Sequence, residues 1–284
     1  MSLSVYLVHW HAPEWCADAS RSLLASEGIS VRLTVVDNGS GADQPELAEV
    51  LPEGVRVVTL PSNSGYTGGA NAALQEWLSA TEEDHVLIGS HDLHVRPGTL
   101  ARLVGVALRS TEFGILGPEL ADRGYPVHHG SPDEPVELDW VSGSALLIAR
   151  GCVQDVGLLD PRFGSYLEDV DYSWRARRAG WKIGYVPGAV AWGLGSASPR
   201  ARELMQANHV LLEAKHRGAL GLVAGYGAVA REGIRNVLGF VAWWRPAGVR
   251  RRSGNAALGS LRAIGSATRR LVRRAVGIER DRIG

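Results

Sequence analysis

The sequence predicts an α/β fold in which a mixed, mostly parallel sheet is flanked by helices. Two observations indicate it: apolar runs alternate with helical stretches along the first 120 residues, and turn-forming residues follow most of the runs. The predicted strands cover residues 3–9, 31–36, 55–60, 85–89 and 113–116, and the predicted helices cover 14–26, 68–79 and 98–110. Ligands of such sheets bind beyond the carboxyl ends of the strands, so we expect the functional residues there.

The regular alternation stops near residue 120. Residues 124–138 are polar and rich in turn formers, residues 141–149 are typical of a strand, and a further helix is predicted to begin at residue 168. We therefore expect one α/β domain over residues 1–200 and a helical, arginine-rich extension over residues 201–284.

The composition is typical of a globular protein. The chain has 284 residues, of which 45% are hydrophobic and 21% are charged, which suits one large domain with an appendage. Cys16 and Cys152 are too few for a disulfide framework, which favours a reducing compartment. The first ten residues contain neither a basic leader nor a small-residue cleavage site. These features together predict a cytoplasmic protein.

Charge is divided unevenly along the chain, although the formal net charge is zero. Residues 231–284 contain 13 basic and 3 acidic residues, whereas residues 1–230 contain 17 basic and 27 acidic residues. The basic part also contains Trp243 and Trp244, and tryptophan beside arginine favours the surface of an anionic membrane. No apolar run approaches the roughly 20 residues that span a bilayer. The alternative is a set of helices with solvated arginines, while the acidic main domain disfavours nucleic acid as a partner.

The most informative charge pattern lies at residues 164–181. On a helix, Glu168, Asp171, Arg175 and Arg178 share one face, where spacings of three and four let opposite charges pair. Asp169 lies off that face in the first turn, where the helix dipole keeps a carboxylate ionised and able to accept a proton. The alternative is an exposed, well-capped helix with ordinary surface pairs.

Polar residues and a glycine-rich turn follow the second and third predicted strands. Asp37 and Asn38 end the second strand, where a carboxylate can accept hydrogen bonds from a nucleobase or a ribose hydroxyl; an Asx-turn is the alternative. Residues 63–74, which include Gly65, form a glycine-rich turn that opens a helix, and its amides can face an anion. The turn matches neither the P-loop nor the dinucleotide-binding pattern.

Ser90 and Asp92 follow the fourth predicted strand. Asp92 together with His94 or His91 can bind a divalent cation that bridges two phosphates. Three histidine pairs, at 9 and 11, 91 and 94, and 128 and 129, suggest a zinc hydrolase as an alternative. No His-Glu-x-x-His helix supports that alternative.

The order of these segments resembles the inverting family-2 glycosyltransferases, and among them the rhamnosyltransferase-like members. Over residues 3–200 the chain presents a strand, VVDNGS, a strand, NSGYTGGAN, a strand ending near SHD, then VSGSALLIAR and YLEDVDYSWRARRAGWKIGYVP. The resemblance implies the GT-A fold, which is Rossmann-like. It also implies an enzyme that moves a sugar, such as rhamnose or another deoxysugar, from a nucleoside-diphosphate donor to a hydroxyl of a glycan, a glycolipid or a small metabolite.

The resemblance also implies roles for individual residues. It assigns the binding of donor and acceptor to His11, Ala12, Asp37, Asn38, Gly65, Ser90, Trp140, Gly143 and Ser144. Asp169, the second acid of a Glu-Asp pair that begins with Glu168, would be the general base. Asp92, with His94, would hold Mg²⁺ or Mn²⁺ on the donor diphosphate.

Two positions depart from the family pattern. Ser90 stands where the Asp-x-Asp motif has its first acid, and Trp192 and Gly193 stand where a late histidine is expected. A metal-independent homologue and a non-catalytic sugar-nucleotide binder are therefore alternatives. A nucleotidyltransferase is a third alternative, which is disfavoured because residues 8–15 contain no lysine or arginine to bind phosphate.

Overall fold

The computed structural model describes residues 1–41, 44–121, 134–193, 201–241 and 258–269. The chain divides into two compact units, one formed by Met1–Gly164 and Glu168–Ser196 and the other by Ser165–Leu167 and Ala197–Gly284. The domain boundary expected at residue 200 stays a prediction. Trp243, Trp244, the arginines at 250–252 and the histidines at 128 and 129 lie outside the described residues.

The described part of the first unit is built around one nine-stranded sheet. Its strands are β1 (Ser2–His9), β2 (Ser30–Asp37), β3 (Arg56–Thr59), β4 (His85–Ser90), β5 (Leu93–Val95), β6 (Phe113–Leu120), β7 (Val136–Glu137), β8 (Ala145–Ala149) and β9 (Lys182–Gly193). They lie in the order β3-β2-β1-β4-β8-β6-β9-β5, with β7 paired to β9. The strands from β3 to β4 are parallel, as are β6 and β9, whereas β8, β5 and β7 are antiparallel to their neighbours. The predicted mixed α/β class is confirmed.

Helices cover both faces of this sheet. They are α1 (Pro13–Leu24), α2 (Gln44–Val50), α3 (Gly65–Ala80), α4 (Thr99–Arg109), α5 (Arg150–Val156) and α6 (Glu168–Arg178). Side chains alternate along β1, so Leu3, Val5 and Leu7 pack in one core with α1, α2 and α4, while Tyr6 and Val8 pack in another with α3, α5 and α6. Burial on both faces explains why these strands are continuous apolar runs in the sequence.

The two cysteines lie one in each of these cores. Cys16 of α1 belongs to the first core and Cys152 of α5 to the second, and both are free thiols that are fully buried. Burial raises the pKa of each thiol to about 12. Neither side chain is therefore a thiolate near neutral pH.

The sequence does not predict α2, β5, β7 or β9. In β9, Pro187 and Gly188 indicate a turn, but the structure places them at a register shift in the pairing with β6, so a bulge absorbs them within one long strand. The strand predicted at 141–149 begins only at Ala145. The reason is a turn before it, in which the N–H of Ala145 donates to the Ser142 carbonyl at 3.2 Å.

The described part of the second unit is helical outside Ser165–Leu167. Helix α7 (Ala201–Val241) is interrupted by a non-helical backbone conformation at Gly218, and a helix that we call α8 covers residues 258–269. Val210 and Val229 of α7 pack with Ala263 and Ala267 of α8. Among the described residues, no helix is long and apolar enough to cross a bilayer.

Candidate active site

The carboxyl ends of β1 and β2 lie side by side, because the strands pair in parallel with His9 opposite Asp37. Asp37 is fully buried, and its Oδ1 accepts a hydrogen bond from the N–H of Ser40 at 3.2 Å. The N–H of His11 donates to Ser40 Oγ at 3.0 Å, so the loops that follow the two strands are joined. His11 and Ala12 adopt positive φ values of 49° and 68° at the start of α1.

Asn38 connects this edge of the sheet to the glycine-rich turn. Its side-chain N–H groups donate to Asn63 Oδ1 at 3.2 Å and to the Gly65 carbonyl at 2.9 Å, and its Oδ1 accepts from the N–H of Ser64 at 3.2 Å. Gly65 has a φ of 77°, and a Cβ there would lie 2.4 Å from the carbonyl oxygen of Gly164. A side chain would thus collide with the backbone that leads to α6.

Asp92 lies in the turn between β4 and β5. Its carboxylate is buried, and Oδ1 accepts a hydrogen bond from Ser90 Oγ at 2.6 Å, so Ser90 supports the one acid of the incomplete motif. His94 Nδ1 lies 3.0 Å from the backbone oxygen of Asp92, and the His94 ring stacks on Trp192 with centroids 5.7 Å apart. In the part of the chain that the structure describes, no three histidine, cysteine or acidic side chains form a metal-binding group.

Asp169 lies in the first turn of α6 and contacts the backbone of Gly143. Its Oδ2 accepts a hydrogen bond from the Gly143 N–H at 2.7 Å, and its Oδ1 accepts one from the Val170 N–H at 2.8 Å. The Gly143 carbonyl in turn accepts a hydrogen bond from the Tyr66 hydroxyl at 2.5 Å. A Cβ on Gly143 would lie 3.3 Å from Glu168 Oε1, so the Gly143 backbone lies against both acids of the pair.

Tyr66 shows where negative charge is concentrated in this site. Burial raises the pKa of its phenol well above the usual range, and the charges of Glu168, Asp169 and Asp92 raise it further. The hydroxyl therefore keeps its proton near neutral pH and serves as a donor, as in its hydrogen bond to the Gly143 carbonyl. Carboxylates from two distant segments of the chain therefore act on one hydroxyl.

The charged face of α6 is packed against the protein from Glu168 to Arg175, whereas Arg178 at its end is exposed. Glu168 and Asp171 are only 5% and 0% exposed. Arg175 donates to Asp171 Oδ2 at 3.0 Å, and its guanidinium also donates to the carbonyls of Val156 and Leu158 at 2.9 and 2.8 Å. The predicted pairing at a spacing of four is present. The alternative of an exposed helix with ordinary surface pairs is wrong.

The loop at residues 142–144 connects the region of Asp92, the candidate metal ligand, with that of Asp169, the candidate general base. The N–H of Ser90 donates to the Ser144 carbonyl at 3.1 Å, and Gly143 makes the contacts with α6 described above. Trp140, which precedes the loop, is 42% exposed. Tyr66 is not among the site residues predicted from the sequence, although an aromatic residue between the glycines of the turn is a signal for it. The functional roles assigned to these residues stay predictions.

Two family models match the chain over most of the first unit. The model described as Glycosyl transferase family 2 matches residues 4–119, and the one described as Glycosyltransferase like family 2 matches residues 134–210. An N-acetylglucosaminyl-diphospho-decaprenol L-rhamnosyltransferase of Mycobacterium tuberculosis is 31% identical over 211 residues, which are 60% of this chain and 68% of that protein. The low-salt glycan biosynthesis hexosyltransferase Agl10 of Haloferax volcanii is 23% identical, over 64% of each chain.

Solved structures show the same fold. A mannosyltransferase from Pyrobaculum calidifontis, in complex with GDP-Man and Mn²⁺, aligns with a TM-score of 0.59 and 14% identity over 95% of this chain and 86% of that one. TarS 1-349 of S. aureus in complex with UDP aligns with a TM-score of 0.54 and 15% identity over 93% of this chain and 81% of that one. The fold is thus of the GT-A type that the sequence order implies.

The substitution Gly65→Ala tests the close approach of the glycine-rich turn to Gly164. Gly54→Ala is a matched control, because Gly54 also has positive φ but a Cβ there would meet nothing within 4 Å. We expect Gly54→Ala to lower the free energy of unfolding by about 1–2 kcal/mol through its backbone conformation. The clash at Gly65 should add about 1–3 kcal/mol to that loss. Urea denaturation measures the free energy of unfolding of both variants. If Gly65→Ala and Gly54→Ala lose the same amount, the close contact between Gly65 and Gly164 is contradicted.

Proposed function

The chain belongs to glycosyltransferase family 2, and on that basis we propose that it transfers a sugar from a nucleoside-diphosphate donor to an acceptor hydroxyl with inversion at the anomeric carbon. The observation that supports the proposal best is the hydrogen bond from the Gly143 N–H to Asp169 Oδ2, because the next residue of that loop, Ser144, accepts a hydrogen bond from Ser90 beside Asp92. The reaction needs one carboxylate that takes the proton of the acceptor hydroxyl and, on the side of the leaving diphosphate, a carboxylate that can hold a cation. Family membership disfavours the non-catalytic binder and the nucleotidyltransferase.

We assign the role of general base to Asp169. The hydrogen bonds from the Gly143 and Val170 N–H groups favour its ionised form, and the positive end of α6 does the same. The acceptor hydroxyl gives its proton to Asp169 while its oxygen bonds to C1 of the sugar. The bond from C1 to the diphosphate oxygen breaks, and its electron pair leaves with the nucleoside diphosphate. Glu168 adds negative charge at the same turn and so supports the base.

The donor nucleotide is proposed to lie across the ends of β1 and β2. Asp37 is suited to accept hydrogen bonds from the base or the ribose, and the loop of His11 and Ala12 lines the same edge. The side-chain amide of Asn38 is bonded to the glycine-rich turn, so we propose that it shapes this pocket from behind the donor. Gly65 allows the turn to lie close to the segment that leads to α6.

A divalent cation, Mg²⁺ or Mn²⁺, fits the region of Asp92. The carboxylate is buried and supported by Ser90, and hard oxygen ligands of this kind suit both ions. Since the described residues offer no group of three ligands, the donor phosphates and water would supply the other positions. When bound, such a cation neutralises charge on the departing diphosphate. His94 is a weaker candidate, because its Nδ1 already contacts the Asp92 backbone.

The relative from Mycobacterium tuberculosis favours a particular donor sugar and acceptor. Its name specifies rhamnosyl transfer to a sugar on a lipid diphosphate, and 31% identity supports a similar reaction here. We therefore propose rhamnose or a related deoxysugar as the sugar and a lipid-linked glycan as the acceptor. The exposed face of Trp140 is suited to stack against an acceptor sugar ring.

The substitution Asp169→Asn tests the base assignment. Transfer from uridine-, thymidine- or guanosine-diphosphate rhamnose to a synthetic N-acetylglucosaminyl diphosphate lipid should fall by at least about 100-fold, because the amide cannot accept the proton. Donor affinity, measured by calorimetry, should change little. Asp155→Asn is the control, since Asp155 accepts its hydrogen bond from the Trp181 indole on an exposed surface. Full activity of Asp169→Asn would show that another group takes the proton.

Thermal unfolding tests the cation site. We expect Mg²⁺ or Mn²⁺ alone to raise Tm little, since one carboxylate binds it weakly, and the cation with the matching nucleoside diphosphate to raise Tm clearly. Asp92→Asn should remove the part that depends on the cation. A Cβ at Gly193 would lie 3.4 Å from Asp92 Oδ2, so Gly193→His should let the cation stabilise the protein without nucleotide. Unchanged cation dependence in Asp92→Asn would place the site elsewhere.

We also propose that the basic residues 231–284 bind an anionic membrane surface, which would bring the site to a lipid-linked acceptor. Replacing Arg250, Arg251 and Arg252 by glutamine should reduce co-sedimentation with vesicles of phosphatidylglycerol and phosphatidylcholine, because each basic residue contributes about 1 kcal/mol there. The control replaces three exposed arginines of the first unit, at 96, 102 and 109, and changes the charge equally. If both triple variants lose co-sedimentation equally, net charge alone explains the binding. If the variant at 250–252 loses none, the proposal is wrong.

A further inference from the structure

The two residues that precede the Glu-Asp pair have an unfavourable backbone conformation. Tyr166 and Leu167 adopt φ values of 73° and 66° in succession, and Glu168 then begins α6. L-residues other than asparagine and aspartate rarely adopt this left-handed region, because Cβ approaches the following carbonyl oxygen. Such a turn persists only when the surrounding structure fixes it. The residues that fix this turn therefore also fix the start of α6.

Asn208 of α7 contacts this turn directly. Its side chain is fully buried, and its two amide N–H groups donate to the carbonyls of Ser165 at 2.7 Å and Tyr166 at 2.6 Å. A primary amide has two N–H donors, so both are used on consecutive carbonyls of the strained turn. On the other side, the carbonyl of Gly164 accepts a hydrogen bond from the Thr67 N–H at 2.7 Å.

We propose that Asn208 is a positioning residue for sugar transfer, which holds the turn at 165–167 so that Asp169 meets the N–H of Gly143. The proposal rests on the proposed function of Asp169. Only Leu167 and Glu168 separate the second anchored carbonyl from the base, so a change in the turn is passed along the backbone to Asp169. A displacement of about 1 Å in a reacting group can cost on the order of 100-fold in rate.

The proposed role predicts a specific kinetic effect. The donor residues at the ends of β2 and β4, Asp37 and Asp92, belong to other segments and accept hydrogen bonds from Ser40 and Ser90. Loss of Asn208 should therefore lower kcat and leave the donor KM nearly unchanged. General loss of folded protein would instead lower the active fraction and the thermal stability together.

The experiment compares Asn208→Ala and Asn208→Asp with Gln206→Ala. Aspartate keeps the size of the side chain but replaces the donating amide by an oxygen. Gln206 is a matched control on the same helix: it is 7% exposed, and its amide donates to Ser260 Oγ of α8 at 3.2 Å. Each full-length variant is assayed for kcat and donor KM with the donor and acceptor that the wild type uses. Hydrogen exchange of the amides at 166–172 is measured alongside.

We expect both Asn208 variants to lower kcat by about 10- to 100-fold, with the donor KM within about twofold of wild type. Their amides at 166–172 should exchange faster than in wild type, and Gln206→Ala should show neither effect. If folded Asn208 variants keep the wild-type kcat and exchange, the proposal is wrong; the same holds if Gln206→Ala reproduces both changes. A wild type that transfers no sugar would overturn the proposed function, while the exchange rates would still decide whether Asn208 holds the turn.

Discussion

The backbone of Gly143 is the point on which the arrangement of the site depends. Its N–H is bonded to Asp169 and its carbonyl to Tyr66, so one glycine joins α6 to the glycine-rich turn of α3. The next residue, Ser144, accepts a hydrogen bond from the end of β4, where Asp92 follows. Three segments that are far apart in sequence, namely α6, the glycine-rich turn and the end of β4, are therefore all hydrogen-bonded to the loop at residues 142–144. A side chain at this position would press on both acids of the pair, since its Cβ would lie 3.3 Å from Glu168 Oε1 and 3.4 Å from Asp169 Oδ2.

The sheet supplies the rigid frame for this loop, and the segment between α5 and α6 is held on it from several sides. Asn71 of α3 exchanges two hydrogen bonds of 2.9 Å with the backbone of Leu159. Arg175 bonds the carbonyls of Val156 and Leu158 while it neutralises the buried Asp171. A buried carboxylate without such a partner would be strongly destabilising. The acids of the site are thus carried by a helix whose buried Asp171 is paired within the protein.

The sequence predicts the features that depend on local pattern. Strands β1, β2 and β4 follow from buried apolar runs, and the positions of Asp37, Asp92 and Asp169 follow from their places after a strand or at the start of a helix. It does not predict β9, because Pro187 and Gly188 are absorbed by a bulge that only the pairing with β6 reveals. Nor does it identify Tyr66 or Asn208, since their contacts join residues 77 and 42 to 43 positions apart. Polar contacts between residues far apart in sequence produce no periodic pattern in the sequence, so one sequence alone does not predict them.

The burial of both thiols makes this protein convenient for fluorescence spectroscopy. Because Cys16 and Cys152 are the two cysteines of the chain and both have a pKa of about 12, maleimide reagents react poorly with either in the folded state. A cysteine introduced on the surface would therefore carry nearly all of the dye. Distances between labelled positions could then be followed during turnover without first removing the native cysteines from the two cores.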